Sequence, residues 1–222
     1  MYKVSSPLLQ VAIDTLDLDK AIEIAKKAYL AGADIIEAGT PLIKKYGVLA
    51  IKRIRDELPR TKIFADMKVA DASEIELRLA MEAGADIVSV LASADDNTII
   101  DSIMFGKRNG IEICIDFIGV KDVINRLMEI FYVRPDYLCY HIPYDLSKKS
   151  QVNIANSIRV VKELVRMSGT LVSVAGGLDY NTIPLFINAG ASVLVVGRTI
   201  TNSENIEEAV KKIKTLLAQS LP

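Results

Sequence analysis

Apolar residues recur along this chain in two alternating rhythms. Short apolar runs, among them LQVAI, KIFADM, IVSVL, EICIDFI, YLCYH and LVSVA, are separated by longer segments in which apolar positions return every three or four residues. The first rhythm predicts buried strands over Leu9–Asp14, Asp34–Ala38, Lys62–Met67, Asp86–Leu91, Glu112–Ile118, Tyr137–His141, Leu171–Ala175 and Val193–Gly197. The second predicts helices over Asp19–Leu30, Leu42–Leu58, Glu74–Glu82, Asn153–Met167 and Ser203–Leu217. Strand followed by helix along the whole length argues for a parallel sheet with helices outside it. An open doubly wound sheet would use the same elements. The count of eight strands and the short connections favour closure into a (β/α)8 TIM barrel.

Three segments repeat one another. Ala31-GADIIEAG, Ala83-GADIVSVL and Ala189-GASVLVVG each place a glycine at a helix end, followed at once by an apolar strand. Their glycines lie about 52 and about 106 residues apart, near two and four multiples of about 26 residues, the length of one strand plus one helix.

Composition narrows the class. A chain of 222 residues is slightly short for such a barrel, whose usual size is about 250, and no linker or low-complexity tract divides it, so 1–222 reads as one domain. Lys+Arg 27 nearly balances Asp+Glu 28, which leaves no field to favour nucleic acid or an anionic membrane; any phosphate must be held locally. Cys114 and Cys139 lie inside apolar runs far apart in sequence, as expected of buried reduced thiols. The N-terminus lacks a secretory pattern and no apolar run approaches a membrane span, so the expected location is the cytoplasm.

In a barrel, chemistry sits where strands run into the following loops, so an ionisable residue ending an apolar strand is informative. Asp14 ends the first strand, Glu37 the second, Asp66 and Lys68 the third and His141 the sixth, with Asp71 three residues beyond Lys68. Any one of these alone reads as a rim charge or a cap; Asp71 is placed to cap a helix beginning near Ser73. Together they aim charges from four strands at one mouth, where burial is costly without a function. Glu37 and Asp66, expected on adjacent strands at the same level, suit a hard cation such as Mg²⁺, or Mn²⁺ in its place. His141, the single histidine, is the natural general base near neutral pH. Gly176 and Gly177 after the seventh strand, with Gly197 and Arg198 after the eighth, occupy the loops where such barrels bind phosphate.

With these residues assembled, the chain resembles the 3-hexulose-6-phosphate synthases of the orotidine monophosphate decarboxylase suprafamily. The resemblance covers nearly the whole chain and is carried by LQVAIDTLDLDKAI, GADIIEAGTPLIKKYG, the Asp-x-Lys-x-x-Asp array of FADMKVADASEIE, and VAGGLDYNTIP with GASVLVVGRTIT. It implies a Mg²⁺-dependent, reversible aldol condensation of formaldehyde with D-ribulose 5-phosphate through a 1,2-enediolate. Carried over by position, Glu37 and Asp66 would hold the metal, Asp14 and Lys68 would contact substrate and intermediate, His141 would be the base, and Gly176, Gly177, Gly197 and Arg198 would bind phosphate. Asp71 would reach a neighbouring subunit's site, which implies a homodimer with shared active sites. The chain departs from the family after the sixth strand. It reads His141-Ile-Pro-Tyr-Asp145 where relatives carry His-x-Gly-x-Asp, with Ser147 where glutamine is common; Pro143 stiffens this loop and removes an N–H donor. The sister activity, 3-keto-L-gulonate 6-phosphate decarboxylase, uses similar machinery but typically has arginine where Tyr144 stands. Orotidine decarboxylase expects Ile-Pro-x-Thr where this chain has Ala72-Ser-Glu-Ile. A non-catalytic sugar-phosphate-binding barrel is the alternative of another class, and retention of the whole ionisable set argues against it.

Overall fold

A computed structural model of the chain describes residues 6–149 and 152–219. Eight parallel strands hydrogen-bond in chain order, and the last pairs with the first to close the barrel. The first half runs β1 (Leu8–Ile13), α1 (Leu18–Leu30), β2 (Ile35–Ala38), α2 (Thr40–Tyr46), α3 (Leu49–Glu57), β3 (Lys62–Val69), α4 (Ser73–Glu82), β4 (Ile87–Leu91) and α5 (Asp96–Asn109). The second half runs β5 (Glu112–Asp116), α6 (Val123–Glu129), β6 (Tyr137–His141), α7 (Tyr144–Lys148), α8 (Ile154–Ser168), β7 (Leu171–Ala175), α9 (Ile183–Asn188), β8 (Val193–Val196), α10 (Arg198–Thr201) and α11 (Ile206–Gln219). Among the described residues no helix is long and apolar enough to cross a membrane.

The strand pattern predicts these strands to within a residue or two at most ends, but the helix expected over Leu42–Leu58 is two helices. Gly47, at φ 64°, ends α2, and the chain restarts in α3 at Leu49. The fifth strand also stops earlier than its apolar run. Asp116 Oδ1 accepts from the Ile118 amide at 2.8 Å, an Asx turn that takes the chain out of the sheet.

The repeated Gly-Ala-Asp segments share one local structure. After α1, α4 and α9 the residue beyond the glycine donates to a carbonyl five positions back: Ala33 to Ala28, Ala85 to Ala80 and Ala191 to Phe186, at 3.0, 3.0 and 3.1 Å. The next residue joins the sheet. Asp34, Asp86 and Asp136, each just before an even-numbered strand, donate their own N–H to the carbonyls of Leu9, Ile63 and Ile113. Their carboxylates accept from the amides of the same three residues at 2.7, 2.7 and 2.8 Å. Each aspartate therefore clamps the start of the preceding strand at both backbone groups, which fixes register every second strand. Ser192 stands at the fourth such position and keeps the backbone bond, to Val172 at 2.7 Å.

Two apolar regions result. The larger lies between the outer face of the sheet and the helices and includes Val11, Ile36, Val88, Ile115, Leu138, Val174 and Val196 from the strands. The smaller fills the barrel itself, with Ala12, Ile35, Phe64, Ile87, Cys114, Tyr137, Cys139 and Val193. Successive side chains alternate between these faces, as the period of a strand requires. Both cysteines are free and buried, as expected from their apolar surroundings.

Candidate active site

Toward the C-terminal ends of the strands the barrel lining becomes polar and opens into a cavity of about 750 Å³. Asp14, Glu37, Asp66, Lys68, His141, Gly176, Gly177, Gly197 and Arg198 line it. Asp71 does not: it is exposed in the loop after β3 and lies outside the cavity lining of the single chain. Nor does Asp71 cap α4, whose N-cap residue is Ala72 with no side-chain cap bond.

Glu37 and Asp66 are less level than the sequence pattern suggests. Register pairs Glu37 with Phe64, so Asp66 stands two residues further toward the mouth, as does Asp14 relative to Ala12, which also pairs with Glu37. The shift matters because inward-facing residues of neighbouring strands interleave rather than stack. Glu37 thus sits deeper, with its Oε2 accepting from the Gln10 amide at 2.6 Å, and Asp66 and Asp14 overlook it. Gly39 makes room for this arrangement, since a Cβ there would overlap the Asp14 carboxylate and the Ile13 carbonyl.

Lys68 is the cation of the cluster. It pairs with Asp66 and lies 3.6 Å from Asp116 Oδ2. Its backbone takes φ 51°, uncommon for a residue with a side chain, at an irregularity in the β3–β4 register, and its amide donates to Ser89 Oγ at 2.8 Å. Local strain of this kind persists where surrounding contacts enforce it, and it is concentrated at functional sites. Ser89 donates in turn to Asp66 Oδ1 at 2.8 Å, and Thr40 to Asp66 Oδ2 at 2.7 Å.

These contacts set the protonation order. Burial would raise Asp66, but Lys68 and the Thr40 and Ser89 hydroxyls outweigh it and hold this carboxyl below its ordinary value. Glu37 moves the other way: burial, then the charges of Asp66 and Asp14, push it well above the usual carboxylate range. Asp14 is also raised, by burial first and Asp66 second. Burial disfavours the Lys68 ammonium, yet Asp66 and Asp116 more than compensate and keep it charged. A buried, carboxylate-rich pocket in which Asp66 and Asp14 raise the proton affinity of Glu37, and Asp66 that of Asp14, is the electrostatic condition that a divalent cation relieves. Glu37 and Asp66 fit such an ion in donor type, with Asp14 beside them.

Across the cavity, His141 Nδ1 lies 2.8 Å from Asp116 Oδ2. This contact favours the tautomer that carries its proton on Nδ1, facing the carboxylate, which is the one that leaves the Nε2 lone pair toward the cavity. Asp116, 2% exposed, is the site residue that the strand-end reading overlooks. The signal is present in the chain: Asp116 ends the apolar run EICID just as Asp14 ends VAID. A strand predicted to run on to Ile118 hides it inside. Asp116, Cys139 and His141 also bring their ligand atoms within 4.8 Å of one another, a group suited to hold a metal ion.

The glycine loops crowd the segment after β6. A Cβ on Gly176 would strike the Ile142 carbonyl, and one on Gly177 the Ser147 hydroxyl; both glycines have positive φ, 95° and 71°. Pro143 serves as the N-cap residue of α7, and Ile142 still donates to the Ala175 carbonyl at 2.9 Å, so His141 remains anchored to β7 despite the proline. Tyr144 packs its ring 4.6 Å from the Arg198 guanidinium, which joins the unusual loop to the basic side of the cavity.

Fold and cavity define a (β/α)8 barrel of enzyme type, its ionisable groups gathered at the C-terminal mouth of the strands. The chain belongs to the Orotidine 5'-phosphate decarboxylase / HUMPS family, which it matches over residues 7–213. It is homologous to 3-hexulose-6-phosphate synthases: that of Bacillus subtilis is 35% identical over 95% of this chain and 99% of its own. The 3-hexulose-6-phosphate synthase structure from Salmonella typhimurium superposes with a TM-score of 0.88 at 33% identity, covering 96% of this chain and 99% of that one. A ligand-bound structure of KGPDC from Streptococcus mutans superposes with a TM-score of 0.90 at 27% identity, covering 97% of this chain and 99% of its own.

Proposed function

We propose that this chain is a 3-hexulose-6-phosphate synthase, condensing formaldehyde with D-ribulose 5-phosphate in a reversible, Mg²⁺-dependent aldol reaction. The observation that carries the reading is the opposition, across one cavity, of a carboxylate cluster around Lys68 and a histidine oriented by Asp116. An aldol reaction needs both: a base for the C1 proton and positive charge for the oxygens of the enediolate that forms. A Mg²⁺ held by Glu37 and Asp66 would supply Lewis-acid stabilisation of that charge.

The chain's own groups supply the rest. His141 Nε2 is free to take the C1 proton, and Asp116 stabilises the imidazolium that results. Lys68 places its ammonium beside the developing negative charge, and Asp14 binds substrate hydroxyls. The enediolate carbon then attacks formaldehyde, and the new alkoxide recovers the proton from His141. Gly176, Gly177, Gly197 and Arg198 hold the phosphate at the other side of the cavity. A homodimer would bring Asp71, which faces solvent in the single chain, to a neighbouring site.

The decarboxylase reading draws on the KGPDC superposition. TM-scores of 0.88 and 0.90 do not separate the two activities, whereas identities of 35% to a synthase and 27% to KGPDC favour the synthase. Tyr144 in place of the arginine typical of the decarboxylases points the same way. The deciding experiment follows formaldehyde consumption with purified protein, D-ribulose 5-phosphate and Mg²⁺, with and without EDTA, beside a 3-keto-L-gulonate 6-phosphate decarboxylation assay. EDTA-sensitive loss of formaldehyde supports the synthase; CO₂ release instead moves the assignment to the decarboxylase. Neither would favour a binding barrel without turnover.

A further inference from the structure

We propose that Asp116, Cys139 and His141 form a second metal site, selective for a thiophilic divalent cation of the Zn²⁺ class, whose occupation inhibits the enzyme by taking its base.

Topology builds the site. Cys139 and His141 are two residues apart on β6 and so share its inner face. The β5–β6 register sets Asp116 opposite Cys139, so three different donors leave two neighbouring strands at one point. Their ligand atoms lie within 4.8 Å of one another, and all three residues line the main cavity, which gives an ion a way in. A mixed oxygen, sulfur and nitrogen set suits tetrahedral Zn²⁺, with the fourth position left to water. Metal–ligand distances of about 2.0–2.3 Å require the donors to close in by roughly an ångström, within reach of small side-chain rotations. Mg²⁺ has no affinity for a thiolate, so this set is chemically distinct from the oxygen donors of Glu37 and Asp66.

Charge permits the ion. The Asp116 carboxylate and a Cys139 thiolate balance two positive charges, and the imidazole stays neutral. Lys68, 3.6 Å from Asp116, opposes binding, but its closer partner is Asp66. No electrons move. The Cys139 thiol, which its neighbour Cys114 and burial keep protonated, loses one proton to solvent as the metal–sulfur bond forms. Binding through His141 Nδ1 moves the ring proton to Nε2, so the imidazole stays neutral but loses the lone pair assigned to the base, and the Asp116–His141 hydrogen bond is replaced. The inhibitory consequence rests on the proposed synthase reading; the binding itself does not.

The test separates the two. Co²⁺, a spectroscopic stand-in for Zn²⁺, is added to the protein in excess Mg²⁺, which occupies the oxygen site. Wild type should develop a near-ultraviolet thiolate-to-cobalt absorption band; Cys139→Ser and Cys139→Ala should lack it, and Cys114→Ser should keep it. In the formaldehyde assay Zn²⁺ should inhibit wild type, reversibly with EDTA and fresh Mg²⁺. Cys139→Ser should retain Mg²⁺-supported turnover while its half-inhibiting Zn²⁺ concentration rises at least about tenfold. A wild type without the band, or a band lost in Cys114→Ser and kept in both Cys139 variants, overturns the site. Equal Zn²⁺ inhibition of wild type and Cys139→Ser overturns the inhibitory role and places the ion at Glu37 and Asp66. If no turnover is found with any substrate, the absorption band still decides the site, and only the synthase reading fails.

Discussion

Aspartates guard both ends of this barrel, and they are used in opposite ways. At the N-terminal end Asp34, Asp86 and Asp136 each accept a backbone N–H of the preceding strand, and the first two add a cation, Lys214 and Arg55 respectively. At the C-terminal end Asp14, Glu37, Asp66 and Asp116 share one cavity with Lys68, and three of them raise one another's proton affinity or are held down by that lysine. A carboxylate surrounded by donors is a fastener. Carboxylates whose neighbours are carboxylates store an electrostatic cost that an arriving cation or substrate offsets.

Substitutions at the two ends should therefore separate activity from stability. Asp66→Asn, which removes a charge of the proposed metal site while keeping the side chain's shape, should lower turnover by about 10³-fold or more while circular dichroism reports an intact fold. Near-wild-type turnover would sink the metal assignment. Arg198→Ala should raise KM for the phosphorylated substrate about 10–100-fold with kcat little changed, as expected for a contact made equally in ground and transition states. A collapsed kcat at constant KM would show that the residue is misplaced in this scheme.

At the other end, Asp86→Ala should leave kcat/KM intact and cost about 1–2 kcal/mol of stability, because it removes the side-chain acceptor of the Ile63 amide and the carboxylate partner of Arg55, which keeps its bonds to backbone carbonyls. A thermal melt should register a fall of about 2–8 °C. Loss of activity without loss of stability would erase the contrast between the ends.

The smallest effect is a pH dependence. Folding raises the proton affinity of Glu37 and Asp14, so their contribution is full below their ordinary values of 4.5 and 3.8 and is lost as pH rises through the raised ones. In EDTA the melting temperature should decline as pH climbs above 4.5, an effect of burial first and of the neighbouring carboxylates second. Glu37→Gln should flatten that decline, and Mg²⁺ should offset it in wild type. Asp66, held low, acts in the opposite direction and below this window.

Much of this arrangement was legible in the chain. Alternating hydrophobic periods marked eight strands, because each must bury both faces inside a covered barrel. Glycines at repeated helix ends marked the turns, and ionisable residues at strand ends marked Asp14, Glu37, Asp66, Lys68 and His141. Other features depended on contacts between segments distant in sequence. Asp116 looked like one more residue of an apolar run until β6 set His141 beside it, 25 positions along the chain. The depth of Glu37 below Asp66 followed from strand register, which no single strand's pattern contains. The break at Gly47 was hidden because apolar residues keep helical spacing across it. The clamping role of Asp34, Asp86 and Asp136 likewise required the neighbouring strand's amides. Sequence by itself thus determined the elements and the kinds of chemical group at their ends, since local periodicity and turn chemistry act within a few residues. Tertiary structure decided which of those groups meet, at what depth and with what charge, because register and barrel closure are set by long-range pairing.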